Sequence, residues 1–370
     1  MCMNLSEDKT MYFDRRQFMK DALGASIALG VAPSFLIASE SAPKATTAPD
    51  LPDPYALVDP ELIAAVKALP KTQLNADTLL VERKGPPWPT LPPPAPQPSR
   101  RVIPGPKGAP EVTIFIFDPE PGSKNRPALL HIHGGGYVAG HATQFPATLQ
   151  KTAQDCGCLV ISVEYRLAPE THFPGSLEDN YAALSWLHAN ADNLGVDRKR
   201  IAIGGLSAGG GHTAALAIAA RDRKEIPVAF QLLIYPMLDD RTGSTRPVPP
   251  HIGTFIWTPQ KNVFGWTSLL GKPAGSANVP FGAVPARVAK LEGLPPAFIG
   301  VGSLDLFVEE DIEYAKRLTA AGVPAELLLV PGAYHAFDLL VPDAAVSRRF
   351  TAYWTEALRR AFLKATDARP

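Results

Sequence analysis

From Glu111 onward the chain alternates short, continuous apolar runs with amphipathic stretches, and this limits the folds open to it more than any other feature. Residues 112–117, 128–133, 158–164, 201–203, 229–235, 297–301 and 325–330 read as strands, most of them continuous apolar runs. Such strands offer no wet face, so they belong inside a parallel sheet covered by helices above and below. Residues 177–191, 207–223 and 308–321 supply helical patterns between them, and a last helix over 342–364 places Val346, Phe350, Trp354 and Leu358 on one stripe. Repeated strand–helix alternation of this kind defines a doubly wound α/β sheet.

The sequence before Glu111 has a different texture. Arg15-Arg16, then Phe18 and Lys20, precede a weakly apolar stretch of small residues over 22–32, which reads as a bacterial twin-arginine export signal. Residues 1–45 are therefore expected to be signal and linker, handled by the twin-arginine machinery. The mature protein is then expected in the periplasm or outside the cell, or in the cytoplasm if the paired arginines belong instead to an ordinary helix. Asp59 and Pro60 open a helix as N-cap and first residue, and Pro70 stops it. Proline dominates residues 85–110 and predicts a stiff extended arm. The expected divisions are 51–100 for an N-terminal cap segment with this arm and 101–370 for the catalytic domain.

Charge and cysteine usage narrow the partners. Lysine plus arginine (36) balances aspartate plus glutamate (36), which gives no pull toward nucleic acid and leaves small molecules as natural partners. Cys2, Cys156 and Cys158 fit neither a zinc pattern nor a disulfide framework. His131 and His133 could share a strand face, but no third metal ligand follows them. No cofactor or metal is expected.

One strand breaks into glycines around a serine: Gly205-Leu206-Ser207-Ala208-Gly209 is a G-x-S-x-G pattern leading into an alanine-rich helix. A strand that turns abruptly into a helix needs residues without a Cβ beside the serine, and Gly205 and Gly209 meet that need. No lysine follows the last glycine, which rules out a phosphate-binding P-loop, and the offsets do not fit a dinucleotide fingerprint. His133-Gly134-Gly135-Gly136-Tyr137, after an earlier strand, can present successive amides to one point.

A serine hydroxyl needs a base, and the base needs an orienting acid. Of eight histidines, His335 follows the last strand and precedes the last helix; His141, His172, His188, His212 and His251 precede the expected acid or sit on helices and loops. Asp305, after the strand over 297–301, is the expected acid, with Asp239 or Asp240 as the fallback. Glu309 and Glu310 are expected in the first turn of the next helix, complementing its dipole. The order Ser207, Asp305, His335 is that of an α/β-hydrolase.

Five blocks together resemble the hormone-sensitive-lipase-like α/β-hydrolases of the bacterial esterase branch: residues 133–137, 164–170 with Phe173-Pro174, Tyr235-Pro236, 302–311 and 335–337. The resemblance implies a mostly parallel eight-stranded sheet with a helical cap, built here from residues 56–83 and an insertion at about 241–293. It implies a Ser207–His335–Asp305 triad, oxyanion amides from Gly135, Gly136 and Ala208, and hydrolysis of short- to medium-chain carboxylic esters. An acyltransferase or amidase would use the same triad, and a non-catalytic ligand-binding member would keep only the fold. Members often carry an acidic residue before the nucleophile, where this chain has Leu206.

Overall fold

A computed structural model describes residues 53–84, Pro89 and residues 92–367. The expected export signal lies outside the described residues.

Eight strands form one sheet: β1 (Ser99–Ile103), β2 (Val112–Phe117), β3 (Arg126–Ile132), β4 (Leu159–Glu164), β5 (Val196–Leu206), β6 (Phe230–Ile234), β7 (Ala297–Gly302) and β8 (Ala325–Val330). Their order is β1-β2-β4-β3-β5-β6-β7-β8, with β2 antiparallel to both neighbours and the remaining pairs parallel. Every residue of β3, β6 and β7 is buried, as continuous apolar runs require.

The helices are α1 (Pro60–Ala68), α2 (Leu79–Glu82), α3 (Pro146–Cys156), α4 (Gly175–Ala189), α5 (Ala208–Arg223), α6 (Pro259–Leu270), α7 (Val308–Ala320), α8 (Phe337–Leu340) and α9 (Ala345–Asp367). Asp59 caps α1, its side chain accepting from the Glu61 amide at 2.9 Å. One apolar core packs α4, α5 and α7 against the sheet, with Leu184, Leu216 and Leu318 fully buried. A second packs α3 and α9 on the opposite face through Leu149, Phe350 and Leu358. A third joins Leu74 and Leu79 to Trp257, Trp266 and Leu269, and these to Tyr137 and Ala208 at the strand ends.

Three expectations change. β1 lies inside the stretch expected to be a proline arm. It is an edge strand exposed at every position but Ile103, so Arg100 and Arg101 carry no apolar signal. α3 was not foreseen, because its buried positions include Gln150 and Thr152. β8, read with the strands of a covered parallel sheet, is also an edge strand, and Leu327 and Leu329 remain exposed.

Candidate active site

The turn from β5 into α5 leaves almost no room. A Cβ on Gly205 would lie 2.5 Å from the Gly209 carbonyl carbon, and one on Gly209 would lie 2.0 Å from the Ile132 oxygen. Side chains at either place would collide with backbone, which cannot yield as a flexible side chain would. Between them Ser207 sits at φ 57°, ψ −124°, a conformation costly for any residue but glycine. Its backbone is held from three directions: its amide donates to Ile234, while its carbonyl accepts from Met237 and Gly211, at 2.9–3.0 Å. The strained geometry is thus fixed by the neighbouring strand and the first turn of α5.

Ser207, Asp305 and His335 come together from three separate strand ends. His335 Nε2 is 2.9 Å from Ser207 Oγ, and His335 Nδ1 is 2.8 Å from Asp305 Oδ2. Asp305 Oδ1 accepts the Phe307 amide at 3.0 Å, which fixes the carboxylate plane. All three residues are buried. The rings of Tyr235 and Phe307 meet the His335 ring edge-on at 4.9 and 5.2 Å, leaving the imidazole little freedom to rotate. With a proton on Nδ1, His335 donates to Asp305 and can accept from the serine hydroxyl.

Gly135 and Gly136 follow β3 with φ of 121° and 60°, values that favour glycine. The Gly135 carbonyl accepts from Val138 and Ala139, closing a tight turn. Among the described residues, the amides of Gly135, Gly136 and Ala208 make no hydrogen bond to protein, and Ala208 opens α5, where the first amides have no intrahelical acceptor. Three free donors therefore flank the serine.

The fallback acids serve elsewhere. Asp239 pairs with Arg241 and Arg246, and Asp240 with Arg287. Glu309 and Glu310 both sit in the first turn of α7 as expected, Glu309 exposed and Glu310 turned inward. It is buried and accepts from the Leu238 and Asp239 amides and the Thr242 hydroxyl. Burial holds its carboxyl well above the usual range, against the pull of those donors.

His131 Nδ1 contacts Ser162 Oγ at 3.0 Å, while His133 Nδ1 bonds the Gly134 carbonyl at 2.8 Å. Burial depresses them to about 4 and about 3 respectively, so both are neutral near pH 7. The His133 ring stacks on Tyr165 at 4.1 Å, and the Tyr165 hydroxyl donates to the His133 carbonyl. Both contacts brace the strand end that launches the glycine turn. Among the described residues, no group of three or more His, Cys, Asp or Glu is placed to hold a metal.

Two further contacts were not visible in the sequence. Trp257 packs directly on Gly136, where an added Cβ would lie 1.9 Å from the indole. Arg83, just past α2, donates from Nε to the Val138 carbonyl at 2.8 Å, reaches the Ala168 carbonyl at 3.2 Å and pairs with Glu170. Both tie distant segments to the glycine turn, and only the aromatic content of the insertion hinted at either.

A buried serine, imidazole and carboxylate in one hydrogen-bonded line, beside free amides, define a nucleophilic serine hydrolase site on an α/β sheet. Residues 129–339 match the family of alpha/beta hydrolase fold proteins, and the chain belongs to that family. It is 35% identical over 268 residues to the carboxylesterase NlhH of Mycobacterium tuberculosis, covering 69% of this chain and 80% of that protein. It is likewise 35% identical over 251 residues to the esterase LipI of the same organism, covering 66% and 76%. Among solved structures, a bacterial heroin esterase superposes with a TM-score of 0.74 at 38% identity, covering 83% of this chain and 99% of that one. The esterase LipW from Mycobacterium marinum superposes with a TM-score of 0.71 at 32% identity, covering 83% and 97%.

Proposed function

We propose that this chain is a serine carboxylesterase acting through an acyl-enzyme. The observation that carries the reading is the continuous line Asp305–His335–Ser207, with contacts of 2.8 and 2.9 Å. Ser207 Oγ attacks the ester carbonyl as His335 Nε2 takes its proton, and Asp305 holds the imidazole in the tautomer that can accept it. The developing oxyanion takes the amides of Gly135, Gly136 and Ala208, and loss of one such donor costs roughly a hundred- to thousand-fold in turnover. His335 then protonates the departing alcohol. Water, deprotonated by the same imidazole, attacks the acyl-enzyme and releases the acid. The esterase names of the relatives support ester over amide as substrate.

Hydrolysis of p-nitrophenyl esters across acyl lengths tests this reading. Short to medium chains should turn over, and equal rates in wild type and Ser207→Ala would refute it. Export by the twin-arginine route is part of the same proposal, supported by Arg15-Arg16 and the weakly apolar stretch behind them. Replacing both arginines by lysine should retain ester hydrolysis in the cytoplasm; unchanged recovery outside it argues against that route.

A further inference from the structure

Behind the nucleophile, on the α3 and α9 face of the sheet, lies a cavity of about 60 Å³. One water needs roughly 10–15 Å³ measured this way, so the cavity admits a group of a few heavy atoms rather than a long chain. Its lining includes Leu206, one residue before Ser207, and Gly134, one residue before the oxyanion glycines. Its walls are mostly apolar, from Leu129, Leu206, Leu232, Ile234 and Leu339, with aromatic surface from Phe145, Tyr235 and Trp354. Among the described residues that line it there is no lysine or arginine, and Asp338 is the one carboxyl.

Asp338 lies three residues beyond His335, and neither catalysis nor an ion pair uses it. Its Oδ1 accepts the Tyr235 hydroxyl at 2.9 Å. Burial raises its pKa to about 6, although the Tyr235 hydroxyl, nearby backbone amides and His335 pull the other way. Near neutral pH it is therefore a carboxylate facing an apolar chamber. The buried imidazoles of His131 and His133 are neutral and add no balancing positive charge, and the third lining histidine, His141, is exposed. A carboxylate beside aromatic faces attracts a cation and repels an anion.

Building on the esterase reading, we propose that this cavity is a subsite for a small apolar ester half that carries an amine, with the ammonium seated on Asp338. Leu206 makes the assignment specific: a carboxylate at that position would add a second charge to the lining, whereas leucine leaves Asp338 as the single anionic anchor.

The test measures kcat/KM at about pH 7.5, where an alkylamine is protonated and Asp338 ionised. On the alcohol side, dimethylaminoethyl acetate is compared with its neutral isostere, isopentyl acetate. On the acyl side, methyl dimethylaminopropanoate is compared with methyl isocaproate and with the monomethyl succinate anion. Wild type should prefer the amine over the isostere by about tenfold in one of the two arms, and that arm identifies the ester half. Asp338→Asn should abolish the preference while still hydrolysing ethyl acetate. Thr148→Phe, which fills the cavity from α3 and keeps Asp338, should lose the same preference. An amine-to-isostere ratio near one in both arms, or a ratio unchanged in Asp338→Asn, overturns the proposal. Failure of ethyl acetate hydrolysis in wild type instead overturns the esterase reading beneath it.

Discussion

The two sides of the nucleophile turn are built on opposite terms. On the α5 side the space is full: added Cβ atoms on Gly209 and Gly211 would lie 2.0 Å from the Ile132 oxygen and 2.2 Å from the Met237 oxygen. There His212, at the start of α5, sits edge-on between the rings of Tyr137 and Tyr165, and burial holds it at about 3. On the α3 side, Leu206 is only half-buried and faces the cavity. One side over-determines a strained serine, and the other leaves room beside it. Close packing and free volume are thus separated across a single strand.

The largest effect is expected from overfilling the packed side. Gly209→Ala should cost on the order of 4 kcal/mol or more, because its Cβ meets backbone from β3; thermal unfolding together with activity checks this. On the open side, Leu206→Ala removes a side chain that already borders free volume. It should cost about 2 kcal/mol, at the low end for a leucine truncation. Similar losses at the two positions would remove the contrast.

A smaller, pH-dependent contrast separates two acids. Asp338 faces the cavity and is hydrogen-bonded by Tyr235, whereas Asp311, in α7, is fully buried with neither oxygen partnered. Burial pushes the Asp311 carboxyl well above the usual range, reinforced by the charges of Glu310 and Asp305. A carboxyl with a raised folded-state pKa keeps its proton longer in the native state, so stability falls as pH climbs from the unfolded value toward the folded one. For Asp338 that fall lies between about 4 and about 6, ending there. Asp338→Asn should remove it, worth about 1–3 kcal/mol above that window. The fall due to Asp311 starts from the same acid limb, and Asp311→Asn should raise the unfolding temperature more at alkaline than at acid pH. Melting curves across the pH range check both, and a gain independent of pH would contradict the assignment.

The sheet was legible because its central strands are apolar on both sides, a demand that only burial between helix layers satisfies. It became illegible at the edges, where β1 carries arginines and β8 carries exposed leucines. The triad candidates were legible from chain order, since Ser207, Asp305 and His335 each follow a recognisable strand. Arg83 was not, because two of its partners are backbone carbonyls and the third, Glu170, lies 87 residues away, so no local pattern records the contacts. Glu310 was legible only as a first-turn residue of α7, because its donors are amides from the loop after β6. The loop after residue 235 folds back onto α7, and no local pattern records that contact. Leu206 was visible as a departure from the pattern, but its meaning required the cavity behind it.

Ser207 is the residue expected to carry the acyl group. Rapid mixing with p-nitrophenyl acetate, quenching and peptide mass analysis measure it directly. The account predicts a burst of p-nitrophenol and an acetyl group on the peptide containing Ser207, with neither in Ser207→Ala. Turnover by Ser207→Ala at the wild-type rate, or acetylation at another residue, contradicts this.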